Sequence, residues 1–302
     1  MIVDFHTHVF PPQVREQREE YLRQDATFRE LYSDPHSKLA SAEEVLASMD
    51  DAGVDVSVIV GFAWGEIDLC RQTNDYILEA AARSSGRLVA FCCVPARAGD
   101  EARSEVQRCA AAGARGLGEL RPSAGGGFAS GEEPAEGLRP WNQGDDLADS
   151  DEAGLLAWAS SAYDLPLLLH VSEPVGHRYP GKRGLELPSL YRFLESYPGV
   201  TVVAAHWGGG LPFYTLMPEV KEALASTFFD TAASPLLYDP LIYRRAIDLV
   251  GADRILFASD FPLLSQGRCL AQVREAGLRE EEQRLILGEN ARRLLRLPHD
   301  AP

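Results

Sequence analysis

Short apolar runs alternate with segments of helical periodicity along most of the chain. The apolar runs have the length of buried strands, and they occur at residues 2–6, 54–61, 88–94, 114–120, 166–171, 200–206, 227–231 and 254–259. Helical patterns separate most of them, and they occur at residues 41–52, 67–84, 100–112, 152–163, 186–197, 212–225, 239–250 and, after the last strand, 279–296. The pattern predicts eight strands alternating with helices, which is typical of a parallel sheet.

Polar side chains at the ends of strands one, five, six and eight favour a closed barrel over an open, doubly wound sheet. These side chains are His6 and His8, His170, His206 and Asp260. In a closed barrel the strand ends converge on one mouth, whereas the outer strands of an open sheet, spaced at about 4.8 Å, lie too far apart to share a ligand. No G-x-G-x-x-G motif follows the first strand, so a dinucleotide-binding fold has little support. We therefore expect one α/β domain, a (β/α)8 TIM barrel over residues 1–302.

Two long segments interrupt the alternation of strands and helices. Residues 9–40 follow strand one and residues 121–150 follow strand four. Both leave the mouth of the predicted barrel, where long loops usually form lids or substrate walls. A surface excursion is the alternative for residues 121–150. The expected fold is thus a TIM barrel with long loops after strands 1 and 4.

The composition of the chain argues against two kinds of binding partner, nucleic acids and membranes. The chain has 45 acidic against 29 basic side chains and a formal net charge of −16, which argues against a nucleic acid or an anionic membrane surface as the partner. No apolar run approaches about 18 residues and no signal peptide is visible, so no membrane span is expected. Five cysteines without a C-x-x-C pair indicate reduced thiols in a cytoplasmic protein.

The pair His6 and His8 is the first sign of metal chemistry. Side chains two apart on a strand point to the same face, so both imidazoles can reach one ion, and a zinc ion binds such nitrogens at about 2.0–2.1 Å. Taken alone, the pair is also compatible with hydrogen-bonded surface histidines. Its combination with the other strand-end side chains indicates a divalent metal site.

The strand-end residues stand in motifs that resemble the amidohydrolase superfamily, in the branch related to aminocarboxymuconate-semialdehyde decarboxylase. The motifs cover nearly the whole chain, and they are Asp4-Phe5-His6-Thr7-His8, Leu169-His170, Ala205-His206-Trp207-Gly208-Gly209, Ala258-Ser259-Asp260-Phe261-Pro262 and Gly288-Glu289-Asn290-Ala291-Arg292-Arg293-Leu294. As a set they are specific for the superfamily but not for a substrate.

The resemblance implies roles for the individual residues. One divalent ion, zinc as the first choice, would be held by His6, His8, His170 and Asp260. His206 would act as an acid or base or bind a second ion. Three imidazoles and a carboxylate leave room for a metal-activated water, whose proton Asp260 could take. We therefore name Asp260 and His206 as the catalytic candidates.

Glu119, at the end of strand four, departs from the closest relatives. Superfamily members with two metals bridge them from this strand, and Gly118-Glu119 is similar to the version in TatD-type nucleases. Glu119 would then bridge a second ion near His206. A salt bridge to Arg121 or Arg178 at the barrel mouth is the alternative. The excess of acidic over basic side chains argues against a nuclease, which binds a negatively charged backbone.

Aromatic and basic side chains in the predicted mouth loops are candidates for substrate binding. Trp64 and Trp207 could wall an apolar or planar substrate, or pack loops onto the barrel. Arg121 and Arg178 could bind a substrate carboxylate through the guanidinium fork, or be ordinary solvated charges. None of these choices is decided by the sequence.

Two reactions remain open for such a site. The first choice is hydrolysis of a small organic substrate by metal-activated water. The alternative is a metal-dependent, non-oxidative decarboxylation of a small aromatic or unsaturated carboxylic acid. The non-enzymatic alternative is a metal-binding or structural protein with the same barrel and no catalytic activity. The expected binding partner is a small molecule. A homodimer is the expected assembly, because relatives are often dimers.

Overall fold

The structure is a computed structural model, and it describes residues 1–122, 147–180, 182 and 185–298. Its strands are β1 (Val3–His8), β2 (Val56–Val60), β3 (Leu88–Cys92), β4 (Gly116–Leu120), β5 (Leu167–Leu169), β6 (Val202–Ala204), β7 (Thr227–Asp230) and β8 (Ile255–Leu256). They form one parallel sheet in the order of the chain, from β1 to β8. Seven strands lie inside their predicted runs, and β1 extends two residues past the predicted run 2–6, to His8. The predicted strand order is confirmed.

Backbone hydrogen bonds between the first and last strand regions close the sheet. The Phe5 N–H donates to the Phe257 carbonyl at 2.8 Å, and the Asp260 N–H donates to the His6 carbonyl at 3.0 Å. The His8 N–H donates to the Phe261 carbonyl at 2.7 Å. These contacts confirm the (β/α)8 barrel rather than the open sheet. They also bring the carboxyl end of β1 and the segment after β8 together at the mouth.

Helices surround the barrel and connect its strands. They are α1 (Pro12–Glu16), α2 (Arg18–Gln24), α3 (Ala26–Tyr32), α4 (Ala42–Ala52), α5 (Ile67–Arg83), α6 (Asp100–Ala111), α7 (Asp151–Tyr163), α8 (Leu187–Ser196), α9 (Pro218–Ala223), α10 (Ser234–Leu237), α11 (Leu241–Val250), α12 (Gln266–Glu275), α13 (Glu280–Arg284) and α14 (Asn290–Leu294). Short 3-10 turns lie at Ala96–Ala98, Leu147–Asp149 and Ala252–Arg254, and a π-helical turn lies at Leu285–Glu289.

The start of α4 shows how local sequence sets an element. The Ser41 side chain accepts the Glu44 N–H, and the Glu44 carboxylate accepts the Ser41 N–H at 2.7 Å. This is a reciprocal capping box, whose sequence signature is a serine followed three residues later by a glutamate. The helix ends at Gly53, whose φ of 73° lies in the left-handed region that glycine adopts without strain. Val45 and Met49 on one face are buried in the core.

The helix predicted over 212–225 is largely absent. Only α9 is a regular helix there, and His206–Leu216 forms 3-10 turns interrupted by positive φ from Trp207 to Gly210. Pro218, in the middle of the predicted helix, has no N–H to donate, and Met217 before it is extended, so a helix could not run continuously through this segment. The three consecutive glycines permit the tight turn instead.

The segment after β1 is a packed layer rather than a long loop. It contains α1, α2 and α3, and their aromatic side chains pack on those that follow β2. The rings of Phe28 and Trp64 stack with centroids 4.9 Å apart, and Tyr32 meets Phe62 edge-on at 5.5 Å. This layer holds one wall of the barrel mouth in place. Most of the predicted loop after strand four, residues 123–146, lies outside the described residues.

All five cysteines are buried and free of disulfides: Cys70, Cys92, Cys93, Cys109 and Cys269. In the described ranges, no helix combines the length and the apolar character needed to cross a membrane. The cytoplasmic location stays a prediction.

Asn74 of α5 is expected to be a stability determinant of the barrel. Its amide donates to the Cys93 carbonyl at 2.9 Å and to the Glu105 carboxylate at 2.8 Å, and its carbonyl accepts the Cys93 N–H at 2.8 Å. Asn74→Ala leaves the Cys93 N–H and carbonyl without this partner, while Glu105 keeps Arg108, so we expect the free energy of unfolding to fall by about 2–4 kcal/mol. Urea denaturation followed by circular dichroism measures this change.

Gln24→Ala on the exposed surface of α2 is the matched control for Asn74→Ala. Its amide bonds only Glu20 at the surface, so its effect should stay within about 0.5 kcal/mol. Equal losses of stability in the two variants would refute the role given to Asn74.

Candidate active site

The polar side chains predicted from the strand ends meet at one mouth of the barrel. His6 and His8 end β1, Glu119 lies in β4, and His206 and Asp260 follow β6 and β8. All five are buried. The closed sheet therefore gathers groups that are up to 254 residues apart in the chain, by the numbers of His6 and Asp260.

Fixed hydrogen bonds orient the first two imidazoles. Nδ1 of His6 lies 2.9 Å from Asp230 Oδ2, and Nδ1 of His8 lies 2.9 Å from the Gly61 carbonyl. Because both partners are acceptors, each Nδ1 carries a proton, and Nε2 is the ring nitrogen left to bind a cation. The two Nε2 atoms lie 3.1 Å apart. Two nitrogen donors thus face one point.

Two carboxylates complete the first group of donors. Asp260 Oδ1 lies 3.3 Å from His8 Nε2 and 3.8 Å from His6 Nε2. Glu119 Oε2 lies 3.6 Å from His8 Nε2, and Glu119 Oε1 lies 3.8 Å from His6 Nε2. Ligand atoms on a tetrahedral ion at about 2.1 Å stand about 3.4 Å from one another. The distances from the two imidazoles to the carboxylate oxygens are close to this value, so these side chains are candidate ligands of one divalent cation.

A second group of donors lies on the other side of Glu119. Its Oε1 is 2.8 Å from His170 Nδ1 and 3.4 Å from His206 Nε2. Nδ1 of His206 lies 3.2 Å from the Ala232 carbonyl, which turns Nε2 toward the site. Glu119, His170 and His206 offer three donor atoms within reach of one another. Glu119 is thus central to both groups and stands near His206, where the sequence places a bridging carboxylate.

The electrostatics of the site suit a cation. Burial by itself lowers the pKa of His6, but the charges of Glu119 and Asp230 outweigh burial and raise this pKa to about 9. Burial also lowers the pKa of His206, but Glu119 and Asp260 outweigh burial and raise this pKa to about 10. Burial raises the pKa of Asp260, yet the neighbouring imidazoles hold it below its usual range. The carboxylates thus create a strong negative field inside the barrel mouth.

The two predicted catalytic residues share an unusual backbone conformation. His206 has a φ of 56° and Asp260 a φ of 65°, in the left-handed region that side chains other than glycine seldom adopt. The His206 N–H donates to Asp230 Oδ1 at 2.8 Å. Such strained positions persist where the surrounding structure holds them, and they cluster at functional sites.

Asp230 is a site residue that the sequence analysis missed. It ends β7 and accepts hydrogen bonds from the His6 ring, the His206 N–H and, at 3.0 Å, the Ala232 N–H. It therefore orients one candidate ligand and fixes the turn that carries another. The signal was present, because the apolar run Thr227-Phe228-Phe229 ends in this carboxylate just as the other strands end in donors.

The two tryptophans proposed as substrate walls are buried inside the protein. The Trp64 indole N–H donates to Thr73 Oγ1 at 2.8 Å, and the Trp207 indole N–H donates to Ser234 Oγ at 3.0 Å. Trp207 also meets Tyr243 edge-on at 5.0 Å. The packing alternative accounts for both indoles, which corrects the expectation that they line a substrate pocket.

The two arginines differ in their positions. Arg121 directly follows β4, and burial lowers the pKa of its guanidinium although Glu119, Glu30 and Tyr32 act against this. It therefore lies at the mouth beside the candidate metal donors. Arg178 is exposed in the segment after β5, as expected of an ordinary solvated charge.

A closed parallel barrel with imidazoles and carboxylates at the carboxyl ends of its strands defines a class of metal-dependent barrel enzymes. The chain belongs to the amidohydrolase family, whose family model matches residues 3–297. The resemblance stated from the motifs is thereby confirmed.

Named relatives of the chain are decarboxylases. Gamma-resorcylate decarboxylase of Rhizobium radiobacter is 24% identical over 268 residues, which cover 76% of this chain and 77% of the relative. The structure of 5-carboxyvanillate decarboxylase from Sphingomonas paucimobilis aligns with a TM-score of 0.76 at 17% identity, covering 98% of this chain and 99% of that chain. A dihydroxybenzoic acid decarboxylase from Polaromonas sp. JS666, with bound manganese and an inhibitor, aligns with a TM-score of 0.72 at 16% identity, covering 98% and 97%.

These relatives overturn the first choice of reaction made from the sequence. Hydrolysis was expected because imidazole and carboxylate donors can activate water, but the named relatives remove carbon dioxide from aromatic acids. The same donors can orient a carboxylate, so the ligand set alone could not separate the two reactions. A divalent metal agrees with the manganese of the Polaromonas protein; zinc is not confirmed.

Proposed function

We propose that this protein is a metal-dependent, non-oxidative decarboxylase of a small aromatic carboxylic acid. The observation that carries the proposal is the convergence of His6 Nε2, His8 Nε2 and Asp260 Oδ1 at the barrel mouth, with the half-buried Arg121 in the field of Glu119. The aromatic acids named for the relatives support the substrate class. The homodimer stays a prediction.

We expect His6, His8, His170 and Asp260 to hold one divalent ion. Glu119 lies between the imidazoles of the first group, His6 and His8, and those of the second, His170 and His206. Imidazole and carboxylate suit manganese as well as zinc. When bound, the ion supplies positive charge that orients the substrate carboxylate. Glu119 has the position to bridge to a second ion, since it faces both groups of donors.

The other residues handle the substrate and the proton. Arg121 supplies a half-buried positive charge for the anionic acid. The bond between the ring carbon and the carboxyl carbon breaks, its electron pair stays on the ring carbon, and carbon dioxide leaves. That ring carbon then takes a proton, for which Asp260 and His206 are the candidate donors. No water is consumed, which distinguishes this reaction from hydrolysis.

Isotope labelling tests the proposed reaction. Manganese-loaded protein is incubated in heavy water with a panel of hydroxylated benzoic acids that carry carbon-13 in the carboxyl group. We expect labelled carbon dioxide and one deuteron at the vacated ring carbon. Retention of the labelled carboxyl group in every acid of the panel would refute the proposal.

Metal content provides a second prediction. We expect about one manganese or zinc ion per chain in the purified protein, measured by plasma mass spectrometry, because the first group of donors is complete. Removal with dipicolinate should abolish activity, and added manganese should restore it. Two ions per chain would indicate that Glu119 bridges them, and full activity after complete removal would contradict a metal requirement.

A further inference from the structure

A half-buried carboxylate with one shielded, unpaired oxygen lies in the segment that follows β5. Glu173 stands three residues after His170, and its Oε2 accepts the Tyr179 hydroxyl at 3.2 Å. Its Oε1 is shielded from solvent yet has no hydrogen-bond partner within the part of the chain that the structure describes. An unpaired acceptor of this kind carries a cost of desolvation, so it usually has a partner such as a water or a ligand.

Hydrogen bonds connect Glu173 to the candidate metal donors. His170 Nε2 lies 3.1 Å from Ser172 Oγ, and the Tyr179 hydroxyl contacts both Ser172 and Glu173. Burial and the charge of Glu173 raise the pKa of Tyr179 to about 12, so this hydroxyl stays protonated and donates. The carboxylate of Glu173 therefore stands at the side of the site where His170 lies.

The surroundings of Glu173 form an aromatic, polar wall. Burial and the nearby Glu173 carboxylate raise the pKa of Tyr238, which places the Tyr238 side chain against the same carboxylate. The backbone of the turn after β6 lies close to this segment. A Cβ atom added to Gly209 would be only 2.6 Å from the Ser172 carbonyl oxygen. The close backbone approach holds the segment in position.

Opposite charges act on Tyr179. The Arg121 guanidinium lowers and the Glu173 carboxylate raises the pKa of its hydroxyl, which Glu173 also accepts. The charge of Glu119 also acts on Arg121. A ligand that reached both Arg121 and Glu173 would meet a positive group suited to a carboxylate and a negative group suited to a hydrogen-bond donor.

We propose that Glu173 determines substrate specificity by accepting a hydrogen bond from a hydroxyl or amino substituent on the aromatic acid. The inference rests on the proposed decarboxylation and narrows its substrate class to acids that carry such a donor. A methoxy substituent has no proton to donate, so it leaves Oε1 unpaired. Loss of one hydrogen bond to a charged group weakens binding by about ten- to a hundredfold.

Binding measurements on the manganese-loaded protein test this role. The probes are the three isomers of hydroxybenzoate, the three of aminobenzoate and the corresponding methoxybenzoates, each titrated by calorimetry. In the unaltered protein we expect at least one hydroxy or amino isomer to bind about tenfold or more tightly than its methoxy counterpart. Glu173→Gln and Glu173→Leu should reduce this ratio to about threefold or less, with methoxybenzoate binding unchanged.

The control is Glu186→Gln, because Glu186 is an exposed carboxylate in the same connection between β5 and α8. It should leave the ratio unchanged, and thermal melting of each variant checks that it folds. A ratio that stays the same in both Glu173 variants, or that is near one in the unaltered protein, would overturn the proposal, since a water would then suffice for Oε1.

Release of carbon dioxide from the same acids is measured separately. A hydroxyl preference that depends on Glu173, without any release, would refute decarboxylation but support recognition by Glu173. Release of carbon dioxide together with an unchanged binding ratio in the Glu173 variants would refute the role of Glu173 but not decarboxylation.

Discussion

Turnover of the metal-loaded protein will fall about a thousandfold or more when Asp260 is replaced by Asn. The change removes a charge that faces both His6 and His8, and with it a candidate ligand and proton carrier. Asparagine has nearly the same shape and tolerates the left-handed backbone found at this position. The expected loss is therefore chemical rather than structural, and steady-state release of carbon dioxide measures it.

Asp253→Asn is the matched control for Asp260→Asn. Asp253 lies in the turn just before β8, and its side chain is 60% exposed, so its replacement should leave turnover within about twofold. Thermal melting should show both variants folded. If Asp260→Asn kept at least a tenth of the activity, Asp260 would be neither an essential ligand nor the proton carrier.

The second large effect is expected at His8, where replacement by Ala should weaken metal binding by more than about a hundredfold. Changes to residues that merely orient a ligand already cost about 10–100-fold in affinity, and removal of the ligand itself should cost more. His8 is a better choice than His6, because His6→Ala would also leave the buried Asp230 without its ring partner. Competition with a chelating dye measures the affinity.

His36→Ala provides the comparison, since His36 is an exposed histidine in the segment after α3. We expect it to bind metal like the unaltered protein. Unchanged affinity in His8→Ala would show that the imidazoles at the end of β1 do not bind the ion, and the site would then have to be assigned to Glu119, His170 and His206 alone.

The family and the fold were accessible from the chain because their signals are local. A run such as residues 200–206 shows a strand by its own periodicity, and a donor at its end needs no knowledge of its neighbours. The reaction was not accessible in this way. Hydrolysis and decarboxylation use the same donors, and they differ in the substrate that the mouth admits.

The wrong or missing parts of the site depend on contacts between distant segments. Trp64 was proposed as a substrate wall because its position after strand two is local information, whereas its burial depends on α3 packing over it. The contact between His6 and Asp230 spans 224 residues. The strand-end position of Asp230 could have marked it as a site residue, but neither its contact with His6 nor the burial of Trp64 follows from the residues beside it.

The sequence by itself determined the order of strands and helices, the family, and the donors at the strand ends, because periodicity and strand-end position are properties of short segments. Only the tertiary structure decided which side chains share the mouth. It turned Nε2 of His6 inward through Asp230, buried Trp64 and Trp207, and left an oxygen of Glu173 without a partner among the described residues. The physical reason is that burial and hydrogen bonding are fixed when the barrel closes, by residues far apart in the chain.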